Sequence, residues 1–173
     1  VRNLSDFKYH PAHQLYTFVK SMGPQNVQYT LMDTDFKLVD SFTTVDGILP
    51  DAHDFQITKN KTFLLAGASD SIMDLSAYLF GTVPGSPNTH ATGFVVQEFD
   101  EDHNLLFQWN SNDHIHPTAG YAFFGYSANA FDYCHGNAIE EDTDGNLLLS
   151  FRHLNAVYKI ARQSGAVLWQ LGG

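Results

Sequence analysis

Two histidines in this 173-residue chain open matching segments. Asp51-Ala52-His53-Asp54-Phe55-Gln56-Ile57 and Tyr133-Cys134-His135-Gly136-Asn137-Ala138-Ile139 each carry an isoleucine four residues after the histidine. Imidazole titrates near neutral pH, so either ring can donate a hydrogen bond or carry a proton. Asn137 lies two residues beyond His135, which puts both side chains on one face of an extended strand and adds an amide donor. Arg152 follows His135 by 17 residues. A hairpin returns its last residue beside its first, so this spacing brings the guanidinium back to the imidazole. A planar guanidinium grips two oxygens of an oxyanion at once. His53, His135, Asn137 and Arg152 are therefore expected to meet in one polar pocket that prefers an anion to a cation.

Each of these groups also has a plain structural alternative: a histidine satisfied in a turn or core, or an arginine paired with a surface carboxylate. His153 directly follows Arg152, faces the other way on a strand, and reads as a structural or supporting group. His114-Ile115-His116 has metal-ligand spacing, but two imidazoles without a nearby third ligand do not make a zinc site. The acidic run from Glu140 to Gly145 lacks the bidentate glutamate that ends a calcium loop and reads as a hairpin turn. Cys134, the single cysteine, cannot form an intrachain disulfide, and it points away from His135 on a strand, so the two are not a nucleophile pair. Neither a metal nor a cofactor is expected.

The elements that must position these groups are strands. Val27 to Met32, a turn at Asp33-Thr34-Asp35 and a strand from Phe36 to Val45 make one hairpin. The same grammar returns from Phe94 to Phe99 with Leu105 to Trp109, and from Ala156 to Ile160 with Ala166 to Leu171. Phe42, Trp109 and Trp169 occupy the same place in the three hairpins and are expected to be buried between sheets. Histidine-led hairpins, Asp51 to Gly67 and Tyr133 to Arg152, interleave with them. Two hairpins in succession make a four-stranded unit of about 40 residues, the period of a propeller blade. The expectation is an all-β chain, one partial β-propeller domain over residues 1–173, with about three antiparallel four-stranded blades and an incomplete ring. A β-sandwich is the alternative built from the same hairpins. Insertions are expected at about 69–92, with helix limited to Ser71 to Leu79, and at about 110–131. Tyr121, Phe123, Phe124 and Tyr126 in the second insertion can stack on an aromatic ligand or simply pack the rim.

Composition narrows the partners. Nine Lys+Arg against 19 Asp+Glu give a net charge of -10, which repels a phosphate backbone, so nucleic acid is excluded. No window reaches the ~18 apolar residues of a membrane span.

From Asp132 to Gly173 the residues resemble the arylsulfotransferase propeller family. The match runs through Asp132 to Ile139, Gly145-Asn146-Leu147-Leu148-Leu149-Ser150-Phe151-Arg152-His153, and Leu168-Trp169-Gln170-Leu171-Gly172-Gly173. Asp51 to Phe55 resembles the family's earlier histidine hairpin, and the likeness extends from about Tyr9 onward. The resemblance implies transfer of a sulfuryl group from a phenolic sulfate to a phenol, with aryl sulfates and phenols as partners. It implies catalytic roles for His135 and Arg152 and substrate-binding roles for His53 and Asn137. The family's nucleophilic histidine lies in a later blade, and no residue here matches it, so residues 1–173 alone are expected to be inactive. The remaining blades are expected from a further portion of the chain or from partner chains. A non-catalytic propeller acting as an extracellular binding or assembly module is the alternative. An extracytoplasmic location, secreted or periplasmic, is expected, and the sequons at Asn3 and Asn60 lend it slight support.

Overall fold

The computed structural model describes residues 3–23, 26–120 and 126–173. Their strands group into three sheets, each built on four antiparallel strands, the second with a short fifth strand added in parallel, and a separate two-stranded hairpin. The first sheet runs β1 (Asn3–His10), β2 (Leu15–Ser21), β3 (Val27–Met32) and β4 (Leu38–Phe42) in sequence order. The second begins with β5 (Leu49–Ile57) and β6 (Phe63–Met73). A small hairpin of β7 (Leu79–Phe80) and β8 (Val83–Pro84) intervenes before β9 (Thr89–Phe99) and β10 (Leu105–Asn110) complete that sheet. After β11 (Phe131–Asp132), which adds to β9 in parallel, the third sheet follows as β12 (Gly136–Glu141), β13 (Leu147–Phe151), β14 (Ala156–Ile160) and β15 (Val167–Gly172). No described helix is long and apolar enough to cross a membrane.

The interleaved hairpin grammar has its cause here. Each histidine-led hairpin supplies the first two strands of a sheet, and each aromatic-ended hairpin supplies the last two. The second sheet is covered on both faces, which is why Phe63 to Ala66 reads as an unbroken apolar run instead of an alternation. Phe63 and Leu65 face the first sheet and join Tyr29, Leu31, Phe42 and Phe55. Leu64 and Ala66 face the third and join Trp109, Ile139, Leu149 and Phe151. Phe42 stacks over Phe63 with ring centroids 4.5 Å apart. Trp109 donates its indole N–H to the Gly165 carbonyl, 2.9 Å away in the last turn of the third sheet. Both are thus buried as the spacing predicts, each against the following sheet. Trp169 is not: it is 42% exposed, because β15 is the outermost strand of the third sheet and no described strand covers it.

One further expectation is corrected, and two strands are new. β1 and β2 carry no recognisable alternation and were not anticipated from the pattern; the pairing slips between Ser5 and Lys8, and β1 holds Phe7 and Tyr9 on the surface. The segment from Ser71 to Leu79 forms no helix. β6 and β9 stay paired as far as Met73↔Thr89. Beyond them the chain closes as a tight loop, with the Leu75 N–H on the Ser86 carbonyl (2.9 Å) and Gly85 packed against the Leu75 backbone, where a Cβ would stand 1.9 Å from its oxygen.

All three first strands break their pairing at a β-bulge. Asp6 and Phe7 stand against Phe18, Asp51 to Asp54 stand against Ala66, and Asn137 is the unpaired residue of β12. The bulges redirect polar side chains of the three strands toward one another. They line a common cleft of about 350 Å³, with Asp6 and Lys8 from β1, His53 and Asp54 from β5, and Asn137 and Glu140 from β12.

Asp54 joins the three sheets there. Its carboxylate is buried, accepts the Ile139 N–H at 2.5 Å, and is paired with the Lys8 ammonium. Lys8 also reaches Asp6 at 2.6 Å, and Asp6 accepts the Phe55 N–H at 2.8 Å. At the turn end of the sheets, Arg162 spans Glu98 of β9 (2.9 Å) and Glu141 of β12 (3.0 Å) in the same manner. Replacing Asp54 with alanine leaves the buried Ile139 N–H unpaired and strips the Lys8 ammonium of one of its two carboxylates, and such losses cost about 3 kcal/mol. Asp54→Ala is expected to lower the urea midpoint by a corresponding amount without changing the slope, whereas a loss below about 1 kcal/mol would show that the sheets dock without this carboxylate.

Candidate functional site

His53 sits in the bulge of β5, and the bulge is built around a hydroxyl from another sheet. Tyr29 of β3 is fully buried. Its hydroxyl accepts the Asp51 N–H at 2.9 Å and turns its single proton to the carbonyls of Asp51 (2.8 Å) and Ala66. The backbone groups that lose their strand partners at the bulge are satisfied there instead of by water. Burial raises the Tyr29 hydroxyl far above the ordinary phenol range, so it remains protonated.

With the bulge fixed, Asp51 turns back on its own histidine. One carboxylate oxygen accepts both the His53 backbone N–H (2.9 Å) and the His53 Nδ1–H (2.6 Å). His135 repeats the device. Its N–H donates to Asp132 Oδ1 at 2.9 Å, and its Nδ1 is held by Asp132 Oδ2. The His135 backbone lies in the left-handed region, with φ of 46°, a conformation that the two Asp132 bonds hold in place. The next residue must be small: a Cβ on Gly136 would lie 2.2 Å from the Phe94 ring.

The two imidazoles meet edge to face with ring centroids 5.1 Å apart. His153 is buried on the other side of His135, 4.7 Å away between centroids, and its Nδ1–H donates to the Asp132 carbonyl at 2.6 Å. Backbone bonds from Arg152 N–H to His135 O (2.9 Å) and from His153 N–H to Cys134 O (3.1 Å) fasten the two segments together. The Arg152 side chain is exposed, and its charge acts on His53. The hairpin spacing thus brings Arg152 to the histidines. Asn137 is placed differently from its expected position. The bulge and the left-handed His135 break the two-residue alternation, so Asn137 faces the 350 Å³ cleft beside His53, while His135 faces a separate small cavity with Asp51 and Asp132.

Asp51, Asp132 and Tyr29 are the site residues that motif spacing did not single out. Asp51 and Asp132 had a signal in the sequence, each standing two or three residues ahead of a histidine; Tyr29 had none. Burial raises the Cys134 thiol to about 12, so it carries no thiolate at neutral pH. His114 stacks on Trp109 with centroids 5.1 Å apart, whereas His116 Nδ1 accepts the Thr118 N–H at the start of a 3₁₀ turn, so the two rings serve separate local contacts. Tyr126 stacks on Phe80 at 4.1 Å and joins the two insertions; Tyr121, Phe123 and Phe124 lie outside the described residues.

The hydrogen bond from Asp51 raises the His53 pKa, working against partial burial and the Arg152 charge. The associated stability is present below the ordinary imidazole pKa and is lost as pH rises through the higher folded value. Asp51→Asn should move the His53 midpoint downward in an NMR pH titration. An unchanged midpoint would show that Asp51 positions the ring without tuning its charge.

Residues 24–173 match the sequence model of the family described as Arylsulfotransferase (ASST). No curated protein matches the chain. Among solved structures, a crystal structure of a protein of unknown function from Bacteroides caccae is similar, with a TM-score of 0.51 at 10% identity. The likeness covers 93% of this chain and 43% of that one, so the chain spans less than half the length of that similar protein. At this identity it speaks for the fold alone.

Proposed function

Because the chain belongs to the arylsulfotransferase family, we propose that its histidine cluster is part of a site that transfers a sulfuryl group from a phenolic sulfate to a phenol. The observation that carries the proposal is the meeting of His53 and His135 from two different sheets, each backed by its own carboxylate, with the Arg152 charge beside them. Sulfuryl transfer makes little covalent demand on the protein, as in phosphoryl transfer: peripheral oxygens must be held and a departing phenolate neutralised.

Arg152 would grip two sulfuryl oxygens. A protonated His53, favoured by Asp51, would donate to the group in flight. His135 would work as acid and then base. Its Nε2 proton can pass to the leaving phenolate oxygen while Asp132 holds the ring through Nδ1. The neutral ring, held through Nδ1, can then take the proton of the acceptor phenol. Asn137 in the adjoining cleft would bind the remainder of the substrate.

On this proposal the three sheets are blades of a propeller. Support comes from their shared strand order and from the common cleft lined by their first strands. Further blades, from a longer chain or from partners, would close the ring and bring the nucleophilic histidine that the family uses. An extracytoplasmic setting belongs to the same proposal, and the sequon residues Asn3 and Asn60 are both exposed.

The test uses an aryl sulfate donor and a phenol acceptor, with residues 1–173 and with a longer parent that turns over. The segment alone should be inactive. His135→Ala with Arg152→Ala should reduce parental kcat/KM by at least about 10²-fold. A parent that keeps its rate in the double variant would overturn the site, and a folded parent with no turnover on any donor would favour the binding-module alternative.

A further inference from the structure

Behind the His53–His135 contact, His135 and its carboxylate Asp132 meet a third group, His153, that sulfuryl transfer does not use. Asp132, His135 and His153 each offer a ligand atom, and these atoms all lie within 4.8 Å of one another. Zinc bonds to imidazole nitrogen and carboxylate oxygen run about 2.0–2.2 Å, so ligands around one ion sit roughly 3.3–4 Å apart. Shifts of the size of a rotamer adjustment close the set.

The fold holds these residues from three directions. Asp132 ends β11 and is paired with Thr92. His135 is fixed by its left-handed backbone and the Asp132 bonds. His153 is buried, and by donating Nδ1–H to the Asp132 carbonyl it keeps its lone pair on Nε2, the tautomer a metal requires. A backbone carbonyl behind the imidazole is a usual outer support of a metal-binding histidine. A cavity of about 70 Å³, lined by Asp51, Thr92, Asp132 and His135, adjoins the set. A water takes up about 30 Å³ of liquid, so the cavity has room for an ion's remaining ligands.

We propose that Asp132, His135 and His153 form a binding site for a divalent transition ion of the zinc class, with its open coordination positions in the adjoining cavity. Two imidazoles and one carboxylate suit zinc, cobalt or copper and do not suit calcium or magnesium, which seek six or more oxygens. The ion takes the place of the proton now held between Asp132 Oδ2 and His135 Nδ1. Cys134 stays outside the set because its thiol remains protonated. The proposal does not rest on the transfer reaction. His135 belongs to both sites, so a bound ion withdraws it from acid–base work, and the site would act as an inhibitory one in an active parent.

The experiment titrates Zn²⁺ into metal-free protein by calorimetry and follows Co²⁺ by its visible spectrum. One equivalent per chain is expected, with no response to Mg²⁺ or Ca²⁺. Asp132→Asn and His153→Gln should each weaken binding by about 10- to 100-fold, and His116→Ala should leave it unchanged. Because the first two variants can fail to fold, the wild-type protein supplies an independent readout. Zn²⁺ should perturb the imidazole NMR signals of His135 and His153 and spare those of His114 and His116. Absence of stoichiometric binding, an equal response to Mg²⁺, or perturbation centred on His114 and His116 would overturn the site. None of these readouts depends on turnover, so they stand or fall apart from the sulfuryl-transfer proposal.

Discussion

Asp54 is a carboxylate that its own sheet cannot satisfy. It sits in a bulge where its strand has lost its partners, and it is buried, a position that is costly for an anion left alone. Its own strand offers one longer contact, the Gln56 amide at 3.2 Å, and the closer donors come from outside: an ammonium from the first sheet and a backbone N–H from the third. The charge is therefore comfortable only when three sheets are in register around the cleft. His53 is the residue immediately before it and Ile139 follows Asn137 by two, so the contact that docks the sheets also sets the spacing of the groups above it. Tyr29 has the same logic with a neutral group, since a hydroxyl from one sheet completes the backbone of another.

The sheets themselves were legible. Val27 to Met32 and Ala156 to Ile160 coincide with β3 and β14, and the interleaving of two hairpin types is the strand order of the second and third sheets. Phe42 and Trp109 were placed by spacing alone. β1 and β2 escaped notice because β1 presents Phe7 and Tyr9 outward and carries charged Asp6 in its bulge and Lys8 just beyond it, so apolar alternation is absent where the strand exists. Trp169 shares the hairpin position of Trp109, but burial depends on a neighbour as well as on position.

The site was half legible for a related reason. A hairpin argument needs only the pairing of two strands, and it brings Arg152 to His135. The prediction that Asn137 shares a face with His135 needs an unbroken period of two. A bulge abolishes that period, and bulges have no reliable signature in residue type. Asp51 and Asp132 act within three residues of their histidines, through turn geometry and not through strand geometry, and this is why a pattern built on strands passed over them. Polar atoms in such places are costly to bury and must be answered one by one, so they cluster where regular pairing stops.

Strand β6 is shared by both apolar clusters. Its Phe63 and Leu65 belong to one apolar cluster and its Leu64 and Ala66 to the other, in strict alternation along four residues. Neither cluster can come apart without baring one side of this strand, and a strand bared on one side loses much of the apolar burial that holds it. The three sheets are consequently expected to melt as one cooperative unit, not as independent repeats. Backbone amides of β6 and β9 should then exchange with solvent only through that global opening, and those of the outermost β15 through local fraying.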